Sequence, residues 1–213
     1  MILKFDHITY VESRENKKEI LQYFRENGYQ YKFEEKSMVN FPAKKSLMNL
    51  NQETHDIYYF EQREALPVEL ILYAITGKDS NVAKDGKSIY VSGRNALSII
   101  DCMHKLGFGF SVWDRERDIV RCNIKGMLDR QDYWLVINLK KERDEVFLDN
   151  RGYGCITFLV KSFKDLCNWR GQGNYLSEPA EVCVNRKKLQ VVFYKNVNID
   201  IFFEFYMLMK VNV

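Results

Sequence analysis

Along most of the chain, apolar and polar positions alternate, with Val, Ile, Phe and Tyr over-used, and short polar runs break the alternation. That is the pattern of half-buried strands. It covers "YQYKFEEKSMVNF", "HDIYYFEQ" and "PVELILY" early on, "GFSVWDRE", "DIVRCNIK" and "YWLVINLKK" in the middle, and "EVCVNR", "KLQVVFYKN" and "IDIFFEFYML" near the end. Three stretches follow a spacing of three and four residues instead. "NKKEILQYFRENG" places Ile20, Leu21 and Phe24 on one face ahead of Gly28. "NALSIIDCMHKLG" does so with Leu97, Ile100 and Met103 ahead of Gly107, and the shorter "SFKDLCNWRG" with Phe163, Leu166 and Cys167 ahead of Gly171. Each predicts a helix ending at a glycine cap. "GKDSN" (77–81), "KDGK" and "DNRG" (149–152) punctuate as loops.

The order of these elements repeats. "HITYVESREN" (7–16) lies over "CITFLVKSFK" (155–164), with Ile, Thr and an aromatic in the same slots and a helical stretch about eight residues on. "SIYVSGRNAL" (88–97) fits more loosely, with Ser88 in the first slot. The expectation is an α+β chain of three β-α-β-β-β units near 1–76, 86–142 and 150–213, the middle one degenerate.

Two strands carry a carboxylate where an apolar residue belongs. "DIFFEFYML" (200–208) holds Glu204 among aromatics, and "LPVELILY" (66–73) holds Glu69 between Val68 and Leu70. A buried carboxylate is costly unless it pairs, binds a metal or takes a proton. Side chains alternate across a strand, so His7 shares a face with Thr9 and Val11. Glu69 shares one with Ile71 and Tyr73, Cys155 with Thr157, and Glu204 with Phe202 and Tyr206. The bland readings stand beside the functional ones. His7 and the two glutamates also suit structural hydrogen bonds, and Cys155 suits a small buried apolar residue. Tyr73, Phe202, Tyr206, Trp113 and Trp134 fit a pocket lining or plain core. His55 reads as exposed at a strand entrance, and His104 as helix surface.

Composition narrows the classes. The net charge of +3 comes from 32 basic and 29 acidic residues, with no basic stripe interleaved with aromatics, which argues against nucleic acid as a partner. "NRKKLQ" (185–190), the densest basic cluster, reads as a hairpin tip. Five cysteines without a C-x-x-C pair suit a reducing compartment. A strand pattern from the first residues and no apolar run of about 20 residues predict a cytoplasmic protein without a membrane span. No phosphate loop, Ser-His-Asp order or C-x-x-C zinc spacing is present.

The repeat resembles the βαβββ module of the vicinal oxygen chelate superfamily, the glyoxalase, bleomycin-resistance and extradiol-dioxygenase group. "FDHITYV" and "HDIYYFEQREALPVELILY" stand as the opening and closing strands of one module. The resemblance implies mixed, curved sheets enclosing a cavity with helices outside. It also implies a divalent metal (Zn, Ni, Mn or Fe) held from the first and last strands of paired modules, here by His7, Glu69, Cys155 and Glu204. Glu204 would be the base that moves a proton, and Thr9, Tyr73, Thr157, Phe202 and Tyr206 would contact a ligand. Cys155 departs from the His or Gln usual in the family. The middle unit, with Ser88 and Asn138 in the equivalent slots, offers no ligands. Either modules one and three pair within the chain, or modules two and three do and module one pairs across a homodimer, giving two His7 and two Glu69. Two functions follow: a metal-dependent lyase or isomerase, with a dioxygenase behind these, acting on an oxygenated small molecule; or a metal-free drug- or metabolite-binding protein of the bleomycin-resistance type. A sheet module serving dimerisation is the third option.

Overall fold

Alternation in "KFDHITYVES" produces the opening strand β1 (Lys4–Ser13), and Ser13 then caps a 3-10 turn (Arg14–Asn16) by accepting from the Glu15 N–H. The turn feeds α1 (Lys17–Glu26), β2 (Gln30–Val39), α2 (Pro42–Leu47), β3 (Thr54–Glu61) and β4 (Val68–Tyr73). A second stretch runs β5 (Ser88–Gly93), α3 (Ala96–Leu106), β6 (Ser111–Asp114), β7 (Ile119–Lys125) and β8 (Asp132–Leu139). A third runs β9 (Gly152–Leu159), α4 (Lys164–Cys167), β10 (Asn174–Leu176), β11 (Ala180–Val184), β12 (Lys187–Asn196) and β13 (Phe202–Leu208). The structure, a computed structural model, describes residues 4–74, 76, 88–109, 111–125, 132–139, 148–167 and 173–209. The loops "GKDSN" and "KDGK", Gly171 and the side chain of Cys167 lie outside the described residues.

The fold is strand-rich, with few helices and mixed sheets. In each stretch the first strand runs parallel to the last: β1 with β4, β5 with β8, and β9 with β13. A parallel pair needs a long crossover, which the intervening helix and strands supply. The other neighbours within each stretch are antiparallel. Antiparallel pairing of β1 with β9 then fuses the first and third stretches into one nine-stranded sheet, ordered β10-β12-β13-β9-β1-β4-β3-β2 with β11 on β12. The second stretch makes its own sheet, β5-β8-β7-β6.

The large sheet buries both faces. On one, Ile8, Phe24, Leu70, Ile156, Phe158, Phe203 and Phe205 join one core with Ile89, Val91 and the buried side of α3. Helix α3 packs on β6 and β7, and its Cys102 Sγ lies 3.0 Å from the Tyr194 hydroxyl of β12. It therefore sits between the two sheets, not outside them. Arg94 ties the sheets further, donating to Asp200 at 2.7 Å and to the Val197 carbonyl at 3.0 Å. The face α3 buries is Ala96, Ile99, Cys102, Met103 and Leu106, while Leu97 is 68% exposed. With Leu97, Ile99 and Ile100 all apolar, two rotations of the helix fit the sequence, and packing selected the other one.

The second face gathers Val11, Met48, Leu50, Ile71, Tyr73, Leu148, Cys155, Val191, Phe193 and Phe202 into a separate core. Helix α2 and the residues after it cover this face, so α2 also departs from the expected helices-outside arrangement. His55 is buried here, 5.8 Å from the Tyr73 ring, because β3 is an interior strand next to β4; it is not exposed. Trp113 and Trp134 belong to the four-stranded sheet and stand away from Glu69 and Glu204.

Candidate functional site

Register places the chemistry. Thr9 sits beside Glu69 across β1 and β4, and Thr157 beside Glu204 across β9 and β13. Across the β1–β9 seam His7 faces Thr157, and Thr9 faces Cys155. The alternation of strands turns these six side chains to the α2 face, the same face as Val11, Ile71 and Phe202. The two glutamates stand three strand spacings apart, roughly 14 Å at the backbone if the sheet were flat. Something must reach them from above the sheet.

His7 is held from both sides. Its Nδ1 lies 2.7 Å from Asp6 Oδ2 and its Nε2 3.5 Å from Glu69 Oε2, while the Thr9 hydroxyl donates to the same Glu69 oxygen at 3.4 Å. Burial alone would lower the imidazole's pKa. The charge of Glu69 and the bond to Asp6 overcome it and push the pKa up to about 10, so His7 is an imidazolium. Burial would likewise raise Glu69, but His7 holds it below the usual carboxylate range. Asp6 follows the same logic: burial raises it, and bonds from His7 and Tyr206 bring it down.

Lys44 supplies the reach. Pro42 fills the first turn of α2, where its missing N–H costs nothing. One turn in, Lys44 is buried at 6% exposure, its ammonium 5.3 Å over the Phe193 ring. With Glu69, Glu204 and His55 it lines a small pocket of about 60 Å³, open to solvent, whose remaining wall includes Phe41, Ile57, Ile71, Val191 and Phe193. Burial lowers the lysine pKa against the pull of Glu204 and Glu69. Glu204 is partly buried. Desolvation, then the charge of Glu69, raises it to about 7, against His7 and Lys44. Burial and Glu204 push the Cys155 thiol well up, and burial and Lys44 push His55 well down.

These residues fit a divalent metal poorly. The Nδ1 of His7 is held by Asp6, as the second ring nitrogen of a ligating histidine commonly is, and Glu69 is close to Nε2, which makes two donors. The set stops there. Cys155 is packed into the second core, and its weak contact is the Ile156 carbonyl at 4.0 Å. Lys44 brings its own positive charge to the pocket that holds Glu204. Among the described residues, no three His, Cys, Asp or Glu side chains are placed to hold one ion. The four-residue set His7, Glu69, Cys155 and Glu204 is therefore split: His7 and Glu69 form an ion pair, Glu204 faces Lys44, and Cys155 is core.

The other predicted contacts are on the same face without standing on the pocket wall. Thr9 serves Glu69, Tyr73 and Phe202 are core, Tyr206 bonds Asp6, and Thr157 is fully buried. Sequence reasoning missed Lys44, Asp6 and the burial of His55. A signal for the first was present: Pro42 marks a helix start, and Lys44, Leu47 and Met48 then share one face at spacings of three and four.

No family model and no curated protein matches the chain. Solved structures with a similar course include a dioxygenase candidate from Bacillus subtilis, at 13% identity and a TM-score of 0.40 over 96% of this chain and 62% of that one. Glyoxalase I from Zea mays matches at 9% and 0.41 over 96% of this chain and 67% of that one. A variant of methylmalonyl-CoA epimerase from Streptomyces coelicolor, in complex with 2-nitronate-propionyl-CoA, matches at 12% and 0.24 over 62% of this chain and 97% of that one. The chain thus spans 62% of the length of the Bacillus protein. At such identities and scores the matches say nothing of activity. Among the described residues no helix is long and apolar enough to cross a membrane.

Proposed function

We propose that this is a glyoxalase-like protein, built from three modules in the manner of the vicinal oxygen chelate superfamily, that binds a small molecule in the α2-covered pocket without a resident metal. The ligand has an oxygen-bearing head and an aromatic or branched apolar body. The observation that carries this reading is Lys44, a cation brought by α2 into the hollow with Glu69 and Glu204. A further polar atom on the pocket wall, His55 Nδ1, has no hydrogen-bond partner among the described residues. It suits a ligand's oxygen, and Phe41, Phe193 and Ile57 suit its apolar part. Cytoplasmic residence and a homodimer belong to the same proposal.

A second reading is an enzyme, a lyase or isomerase. It is favoured by Glu204, whose pKa of about 7 lets it accept or return a proton at neutral pH. Binding comes first in either case. The test is a thermal-shift panel of aromatic acids, aromatic aldehydes, and glycopeptide and aromatic antibiotics. A ligand at 100 times its Kd adds about 2.7 kcal/mol, or roughly 5–10 °C for a chain of this size. The expected result is such a shift for at least one class, diminished by Lys44→Met. A flat response across the panel overturns the proposal.

A further inference from the structure

Lys44 is an unusual lysine. Its side chain is more than nine-tenths buried and lines the pocket, yet its ammonium makes no hydrogen bond or ion pair with any described residue. Its close contact is the face of Phe193. The acidic groups around it come from three strands of the sheet below: Glu204 on β13, Glu69 on β4 and the thiol of Cys155 on β9. The imidazole of His55 faces it from β3. Glu69 is engaged by His7 and Thr9, which leaves Glu204, on the wall of the same pocket, as the carboxylate to accept the proton.

We propose that Lys44 captures an aldehyde or ketone as an imine, with Glu204 handling the protons. This deepens the ligand-binding reading and rests on it, since it names a carbonyl compound as the ligand class. The ammonium first passes a proton to the Glu204 carboxylate. The free Nζ lone pair then forms a bond to the carbonyl carbon, and the C=O π pair moves to oxygen, which takes a proton from the now positive Nζ. The hydroxyl of this carbinolamine receives the proton held by Glu204 and departs as water, while the Nζ lone pair forms the C=N bond. The sum is ammonium plus carbonyl giving protonated imine plus water, with Glu204 returned to its carboxylate and no oxidant or reductant required.

Three features serve this chemistry. Burial disfavours the ammonium, so Lys44 sheds its proton more readily than a surface lysine does. Glu204, near neutrality, is suited both to accept and to return protons. The apolar wall of Phe41, Ile57 and Phe193 limits the water that would hydrolyse the imine, and it offers a surface for an aromatic aldehyde.

The test is reductive trapping. The full chain is incubated with benzaldehyde and sodium cyanoborohydride at pH 7 and read by intact mass and peptide mapping, in buffer and in urea. Exposed Lys36 and Lys105 serve as internal references. The expected result is Lys44 benzylated at least about tenfold faster than either reference in the folded protein, with the advantage lost in urea, where every lysine is near its ordinary pKa of about 10.4. Lys44→Met removes the fast phase and leaves the slow surface labelling, and Glu204→Gln slows the fast phase about tenfold. Should Lys44→Met fail to fold, the comparison of folded with urea-unfolded wild type decides by itself. Lys44 labelled no faster than Lys36 in the folded state overturns the proposal. Benzyl alcohol, which cannot form an imine, separates the two readings. A thermal shift with this alcohol but no preferential labelling sinks the imine alone, and neither shift nor labelling sinks the pocket as well.

Discussion

Glu69→Ala is expected to cost on the order of 3 kcal/mol of folding stability near pH 6, a large effect for one side chain. The carboxylate is buried with the His7 imidazolium, and removing one member of such a pair leaves the other charged and unmatched. Only Asp6 would remain to hold the ring. The sign follows from the two pKa shifts. His7 is raised in the folded state from 6.5 to about 10, so its contribution is complete below about pH 6.5 and is lost as pH rises through about 10. Glu69 is lowered, so its contribution is present above its ordinary value and fades as pH falls through the folded one. The gap between wild type and variant is therefore widest between about pH 5 and 6.5 and closes toward pH 10. Urea unfolding across that range measures it. A gap that stays constant with pH would mean that the pair is not ionic.

Glu204→Gln is expected to act in the opposite direction and to stabilise the protein by on the order of 2 kcal/mol above pH 7. The carboxyl pKa is raised from 4.5 to about 7, so folding favours the protonated form. Stability from this group is complete below about pH 4.5 and is lost as pH climbs through about 7, beyond which the fold carries a partly desolvated anion. The shift itself corresponds to roughly 3 kcal/mol, reduced here because the group opens into the pocket and water screens it. Glutamine keeps the shape and removes the charge. The variant should match wild type at pH 4.5 and exceed it at pH 8.5, by several degrees in thermal melts. Equal stability at both pH values would refute a near-neutral Glu204.

Much of the local structure was legible because local rules decide it. The spacings that end at Gly28 and Gly107 mark α1 and α3, and both glycines take the left-handed conformation, at φ of 78° and 87°. The alternating runs become β2, β3, β12 and β13 within a few residues of the expected bounds. Glu69 and Glu204 stood out because each breaks an apolar strand, and both do face one pocket.

What the sequence concealed depends on which face meets which. The stretch "PAKKSL" follows the expected strand that ends at Phe41, and nothing local says that α2 folds back over the sheet and carries Lys44 into the pocket with the carboxylates. His55 lies at the start of β3 and reads as exposed until β4 and α2 enclose it. Cys155 sits in register for a ligand, yet its neighbours on the second core make it a packing residue. Thr157, opposite both His7 and Glu204, carried no signal beyond its place in the repeat.

The face under α2 therefore holds the chain's own cations in place of a metal: His7 is paired with Glu69, and Lys44 lines the same hollow as Glu204. Calorimetric titration of chelator-treated protein with Zn, Ni, Mn and Fe(II) is expected to show no stoichiometric uptake of any of the four at neutral pH. One equivalent bound tightly, and lost in Glu69→Gln, would contradict it.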